Sequence, residues 1–214
     1  MSSRKKITIA FITIVLIVVS VTVAIVSVLA ADKQIAKSGF KVSYNASGAV
    51  AATVSARYKK SPIITEAKKP VAFTTTDGSV LIGEHTFGRY DEEDEISLNS
   101  EEISIDYDET NLSLLFEFVF TNNAEAHIGI ELTVVDVKDK DGNETTLTDQ
   151  NLGVKIYDDI DTKNWIDLPA GGYSDMVLGV IGNIQRRYVQ VYVLDPNKNV
   201  SNISFNFNWD LTAR

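Results

Sequence analysis

The sequence predicts an all-β fold: an antiparallel two-sheet sandwich of immunoglobulin-like or jelly-roll type, behind one N-terminal hydrophobic helix. Three observations lead there. Apolar and polar residues alternate with a period of two along most of the chain; Gly- and Pro-containing turn signals separate these runs; and no segment after residue 31 has a helical period. The chain has 214 residues and no cysteine. A domain of this kind therefore relies on its core rather than on disulfides, and thiol nucleophiles and thiolate metal sites are excluded.

The first element is set by charge and length. Arg4, Lys5 and Lys6 precede residues 7–31, which carry no charge over 25 positions. As a helix rising about 1.5 Å per residue, that run reaches roughly 37 Å, enough for a hydrocarbon core of about 30 Å. Residues 1–31 are thus expected to be a signal anchor or a signal peptide in the lipid bilayer, with the basic end cytoplasmic and the rest exported. The length favours a retained anchor, whereas the small residues around Val28-Leu29-Ala30 suit a signal peptidase; both outcomes stay open. Residues 32–38 are expected to form a short linker and 39–214 one exported domain.

Once Arg4, Lys5 and Lys6 are set aside, 17 of the 20 Lys and Arg residues face 29 Asp and Glu, a net charge of −12. A surface so acidic repels nucleic acid, which is not expected as a partner. Lys59-Lys60, Lys68-Lys69 and Arg186-Arg187 are expected to be solvated charges rather than a patch.

The strands follow in order. Phe40, Val42, Tyr44 and Ala46 alternate with polar residues, and residues 50–58 repeat the pattern after Ser47-Gly48. Ile103, Ile105 and Tyr107 make a third run. The stretch 114–132, LLFEFVFTNNAEAHIGIEL, carries two more, with Leu114, Phe116, Phe118 and Phe120 on one face and then Ile128, Ile130 and Leu132. If these two runs pair as a hairpin, Phe120 meets Ala126 and Phe118 meets Ile128; alternatively the connection passes between two sheets. Residues 189–194 are apolar on both faces and predict a central strand. Ile203, Phe205, Phe207, Trp209 and Leu211 close the domain. Pro62, Pro70, Pro169 and Pro196 are expected between runs, and Asp77-Gly78, Asp141-Gly142 and Gly171-Gly172 mark turns.

Candidate chemistry is sparse. His85 and His127 are too few for a three-histidine zinc site, belong to no HExxH pair, and are expected on solvated strand faces. No catalytic, cofactor-binding or metal residue is assigned. The densest charge feature is Asp91-Glu92-Glu93-Asp94-Glu95, followed by Glu101, Glu102, Asp106 and Asp108. It is expected to be an exposed, metal-free loop, with weak calcium binding as the sharper alternative. In 139–144, DKDGNE, Val137 stands where an EF-hand would place its first acidic ligand, so a hairpin with an Asp-Gly turn is expected. Asn45, Asn111, Asn143, Asn199 and Asn202 each open an Asn-x-Ser/Thr triplet, which matters only in a host that glycosylates asparagine.

The basic start, long apolar leader, small-residue junction and cysteine-free acidic domain, together with "LLFEFVFTNNAEAHIGIEL" and "IDLPAGGYSDMVLGVIG", resemble surface and biofilm-matrix proteins of the TasA/camelysin type. That resemblance implies a structural, adhesive or fibre-forming role at the cell surface, without catalysis, and self-assembly or a surface protein as partner. The alternative from another class is an extracellular glycan- or peptide-binding accessory domain, with or without calcium. Tyr44, Tyr58, Tyr90, Tyr157, Trp165 and Tyr173 are the candidate sugar-stacking residues. Assembly, if it occurs, is expected through residues 39–58 adding to a neighbouring sheet edge.

Overall fold

A computed structural model describes residues 33–45, 51–65, 67–88, 94–106, 112–125, 127–139, 141–159, 161–169, 172–179, 181–195 and 203–213. The expected membrane helix, residues 1–31, lies outside them. The described strands are β1 (Lys33–Asn45), β2 (Ala52–Pro62), β3 (Val80–Phe87), β4 (Asp94–Asp106), β5 (Leu112–Asn122), β6 (Ile128–Lys138), β7 (Glu144–Thr145), β8 (Leu152–Asp158), β9 (Asn164–Asp167), β10 (Tyr173–Leu178), β11 (Ile184–Val193) and β12 (Ile203–Ala213). No helix occurs among the described residues. β1 starts at Lys33, so nearly all of the expected linker 32–38 is strand instead.

Two sheets result. One has the order β10-β6-β12-β1-β4, with β7 paired to β6; the other has the order β3-β2-β5-β11-β8-β9. Among the described registers, pairing is antiparallel except between β1 and β12, which run parallel with Phe40 beside Phe207 and Val42 beside Trp209. Residues 189–193 lie on β11 between β5 and β8, the central position their two apolar faces predict.

The sheets share one core. Phe116, Phe118 and Phe120 of the second sheet meet Phe205, Phe207 and Trp209 of the first at ring-centroid distances of 5.0–6.1 Å, mostly edge to face. Phe40 of β1 joins edge-on to Phe118 at 5.7 Å. Such contacts add to the area these rings remove from water.

The hairpin alternative for 114–132 does not form. β5 pairs with β2 and β11, so Phe118 lies between Ala56 and Arg187, while β6 pairs with β12, β10 and β7 in the other sheet. Alternation tells which face a residue takes, not which strand lies beside it, and both runs face the same core from opposite sides. Asn122, fully buried, secures the crossing. Its Nδ2 donates to the Gly179 carbonyl at 2.5 Å, its Oδ1 accepts from the Ala124 N–H at 2.8 Å, and its carbonyl accepts from the Gly182 N–H at 2.7 Å.

The turns agree with the sequence where they are described: Gly78, Gly142 and Gly172 all have positive φ, which glycine adopts without Cβ strain. Pro62 is the last residue of β2 rather than a loop residue. β3 stops pairing at Tyr58, so on that side the absent N–H at position 62 breaks no ladder.

Candidate functional site

The polar residues of β5 do not face water as their alternation predicts. Ser113 and Glu117 are buried on the side of the sheet away from the core, and so is Leu115 between them. The cause is the long connection from β2 to β3, residues 63–79, whose Ile64 and Phe73 pack against a cluster of Leu115, Tyr157, Trp165 and Tyr188.

Glu117 anchors this strap. Both carboxylate oxygens accept the Phe73 N–H, at 3.1 and 3.2 Å; Oε1 also accepts the Tyr188 hydroxyl at 3.0 Å, and Arg186 Nε lies 3.5 Å away. Burial first, and then the Glu117 charge, push the Tyr188 phenol well above its ordinary pKa. Lys59 makes a second attachment, pairing with Asp77 at 2.7 Å while its ammonium sits 4.2 Å from the Phe73 ring centroid. That ion pair holds the Asp77 carboxyl far below the usual carboxylate range. Lys69 pairs with Asp159 to fix the strap's outer end. Residues 63–65 and 68–71 line an open pocket of about 310 Å³ on this strap, apolar except for Thr65, Lys68 and Lys69.

Beyond the strap, Tyr192 lies on Gly153 of the neighbouring strand: a Cβ at position 153 would stand 2.5 Å from the tyrosine Cζ. Lys155 caps the same ring at 5.3 Å. Here the strand glycine marks a close approach. Gly153→Ala should therefore cost about 1–3 kcal/mol by overpacking. Urea denaturation checks this, and the loss should largely vanish in a Tyr192→Ala background, where the ring is absent.

The sugar-stacking candidates are not gathered into an open platform. Tyr157 and Trp165 are buried, 5.7 Å apart edge to face, and Tyr58 and Tyr173 are half-buried against the core. Tyr90 and the side chain of Tyr44 lie outside the described residues. A half-buried aromatic outside that set is Tyr192, whose place on Gly153 of another strand no local spacing announces.

His85 is half-buried on β3, edge-on to Phe87 at 4.6 Å, and His127 is exposed just ahead of β6 rather than on it. The expected acidic loop is only partly a loop: Asp94 and Glu95, with Glu101, Glu102 and Asp106, lie on β4, while residues 91–93 and 108 and the side chains of those five lie outside the described residues. Residues 139–144 do form the expected turn: β6 and β7 pair, and Asp139 Oδ1 accepts the N–H groups of Asp141 and Asn143, each at 2.9 Å. The Asn143 backbone donor and then its side chain hold the Asp139 carboxyl below its usual range. Asn143 is exposed; Asn111, Asn199, Asn202 and the Asn45 side chain are not described.

Arg187 departs from expectation. It is 2% exposed, on the core-facing side of β11, where Nη1 donates to the Arg186 carbonyl at 3.0 Å and lies 3.7 Å from Asp159. The Asp159 carboxylate offsets part of the cost of placing this charge out of water. Nearby, the buried Asp158 accepts the Tyr173 hydroxyl at 2.8 Å and the Thr162 N–H at 2.8 Å, linking the two sheets and the β8–β9 turn. Among the described residues, no group of three or more His, Asp or Glu side chains is placed to hold a metal ion. No family model matches the chain, and no curated protein is significantly similar to it.

Proposed function

We propose that this protein is an exported β-sandwich, of immunoglobulin-like or jelly-roll type, held at the cell surface by its N-terminal helix or released from it, with a structural, adhesive or fibre-forming role. No turnover chemistry is assigned to it. The observation that carries the reading is the continuous aromatic core: with no cysteine in the chain, ring packing from Phe40 through Phe118 to Trp209 is what holds the two sheets together. Such a core suits a module that persists outside the cell. The 12 more Asp and Glu than Lys and Arg in the exported part keep it soluble.

Residues 39–58 fit poorly as the assembling segment. Both strands of that stretch are interior, β1 between β12 and β4 and β2 between β3 and β5. An added strand would instead meet an edge, and β3 offers one, with Val80 and Leu81 about half exposed.

Electron microscopy of the purified exported form, residues 32–214, tests the role: fibres or ordered surface layers support it. A species that stays monomeric at all concentrations and binds an oligosaccharide would favour the second reading, a glycan-binding accessory domain, for which Tyr192 with Lys155 over its ring is the supporting feature.

A further inference from the structure

β1 and β12, the first and last described strands, run side by side, and their register sets Lys41 opposite Asn208. Both point away from the core: Phe40, Val42, Phe207 and Trp209 are buried, whereas Lys41 and Asn208 are intermediate in exposure. Neighbouring strands lie about 4.8 Å apart, so the four-carbon stem of a lysine spans the gap to a facing side chain. On the far side of β12 lies β6, and its Asp136 Oδ2 accepts a hydrogen bond from Asn208 Nδ2 at 2.9 Å. An amine, a carboxamide and a carboxylate thus stand on the same side of three adjacent strands.

We infer that Lys41 and Asn208 join in an intramolecular amide bond, with Asp136 carrying the proton. The neutral Lys41 Nζ attacks the Asn208 Cγ, and a C–N bond forms as the carbonyl π electrons move to oxygen. Asp136 takes a proton from the attacking nitrogen and delivers it to Nδ2, the atom it already holds. The Cγ–Nδ2 bond then breaks, the carbonyl re-forms and ammonia leaves. No oxidant, metal or second substrate is consumed.

Lysine amines act as nucleophiles towards carbonyl carbon only when unprotonated. Here the reaction need occur only once per molecule, and the register keeps the amine within reach of its target throughout the life of the fold. The position also gives the bond a purpose. A covalent tie between β1 and β12 would lock the parallel pair at the centre of its sheet, in a chain that has no cysteine for a disulfide.

Digestion of the full chain with trypsin, followed by mass spectrometry, tests the inference. The expected product is a branched peptide joining the Lys41 and Asn208 segments, uncleaved after Lys41 and lighter than their sum by about 17 Da, the mass of ammonia lost when the amine is the nucleophile. Lys41→Arg, which keeps the charge, and Asn208→Ala should each abolish it, and Asp136→Asn should slow its formation at least about tenfold, in line with loss of a positioned proton carrier. Separate, unmodified peptides would overturn the inference. So would a loss of ammonia confined to the Asn208 peptide, which is a cyclic imide, or a branched peptide lighter by about 18 Da, which is water and assigns Asp210 on the same face instead. Linkage undiminished in Asp136→Asn would remove Asp136 from the mechanism.

Discussion

Phe118→Ala should lower the unfolding free energy by about 3–5 kcal/mol, the upper range for deleting a buried aromatic ring. Phe118 is fully buried and touches four rings: Phe40 at 5.7 Å, Phe116 at 6.4 Å, Phe207 at 5.3 Å and Trp209 at 5.0 Å. Three of those partners, Phe40, Phe207 and Trp209, stand on the opposing sheet, so truncation removes contacts that join the layers. Collapse into the space is resisted because β5 is paired on both sides, with Ala56 and Arg187 flanking position 118. A cavity that cannot close costs more than the transfer energy of the ring alone. Urea denaturation measures the change as a shift in midpoint at constant slope. Val119→Ala, one residue on and half-buried on the other face, should cost less than half as much. Equal losses at the two positions would mean that the ring cluster is not the centre of the core.

How far the sequence reaches is clearest along β5. Leu114, Phe116, Phe118 and Phe120 announce a strand and its core face by spacing alone, because period two is a property of the backbone. The same spacing places Ser113 and Glu117 on the other face correctly and their environment wrongly. Whether a second face meets water depends on what crosses it, and residues 63–79 have no periodic signal that would announce a cover. Partner choice was hidden for a related reason. The Asn122-Asn123 corner looks like a hairpin turn in sequence, yet the backbone N–H, the carbonyl and the Nδ2 of Asn122 bond to residues 179–183, some sixty positions away. The charge of Arg187 predicts a solvated side chain, and only its core-facing place on β11 shows otherwise. The facing of Lys41, Asn208 and Asp136 arises from strand order, which no local pattern encodes.

Glu117→Ala should release the strap and cost about 2–4 kcal/mol, because the buried Tyr188 hydroxyl and the Phe73 N–H lose their shared acceptor while Arg186 loses its counter-charge. Glu117→Gln keeps an oxygen for those donors and loses only the charge, so it should fall between wild type and Ala. The damage should be local first. Phe73 and Ile64 cover Leu115, Tyr157, Trp165 and Tyr188, and a strap held only by Lys59–Asp77 and Lys69–Asp159 leaves that cluster by sub-global opening. Limited trypsin digestion reads this directly: cleavage after Lys68, the strap's lysine not followed by proline, should accelerate well before the sheets unfold, and an unchanged cutting rate would show that Glu117 does not hold the strap. A pH arm separates charge from packing. Tyr188 is held above the ordinary tyrosine value of about 10, so below that pH both folded and unfolded chains keep the proton and the contribution is constant. Above it the unfolded chain ionises while folded Tyr188 does not, so the unfolded state binds fewer protons and stability falls as pH rises. Removing the Glu117 charge removes one cause of the elevation and leaves burial, the larger one. The alkaline loss should therefore begin at the same pH in Glu117→Gln but end at a lower one, so that its total is smaller without disappearing; a total loss as large as wild type would mean that the carboxylate does not act on the phenol.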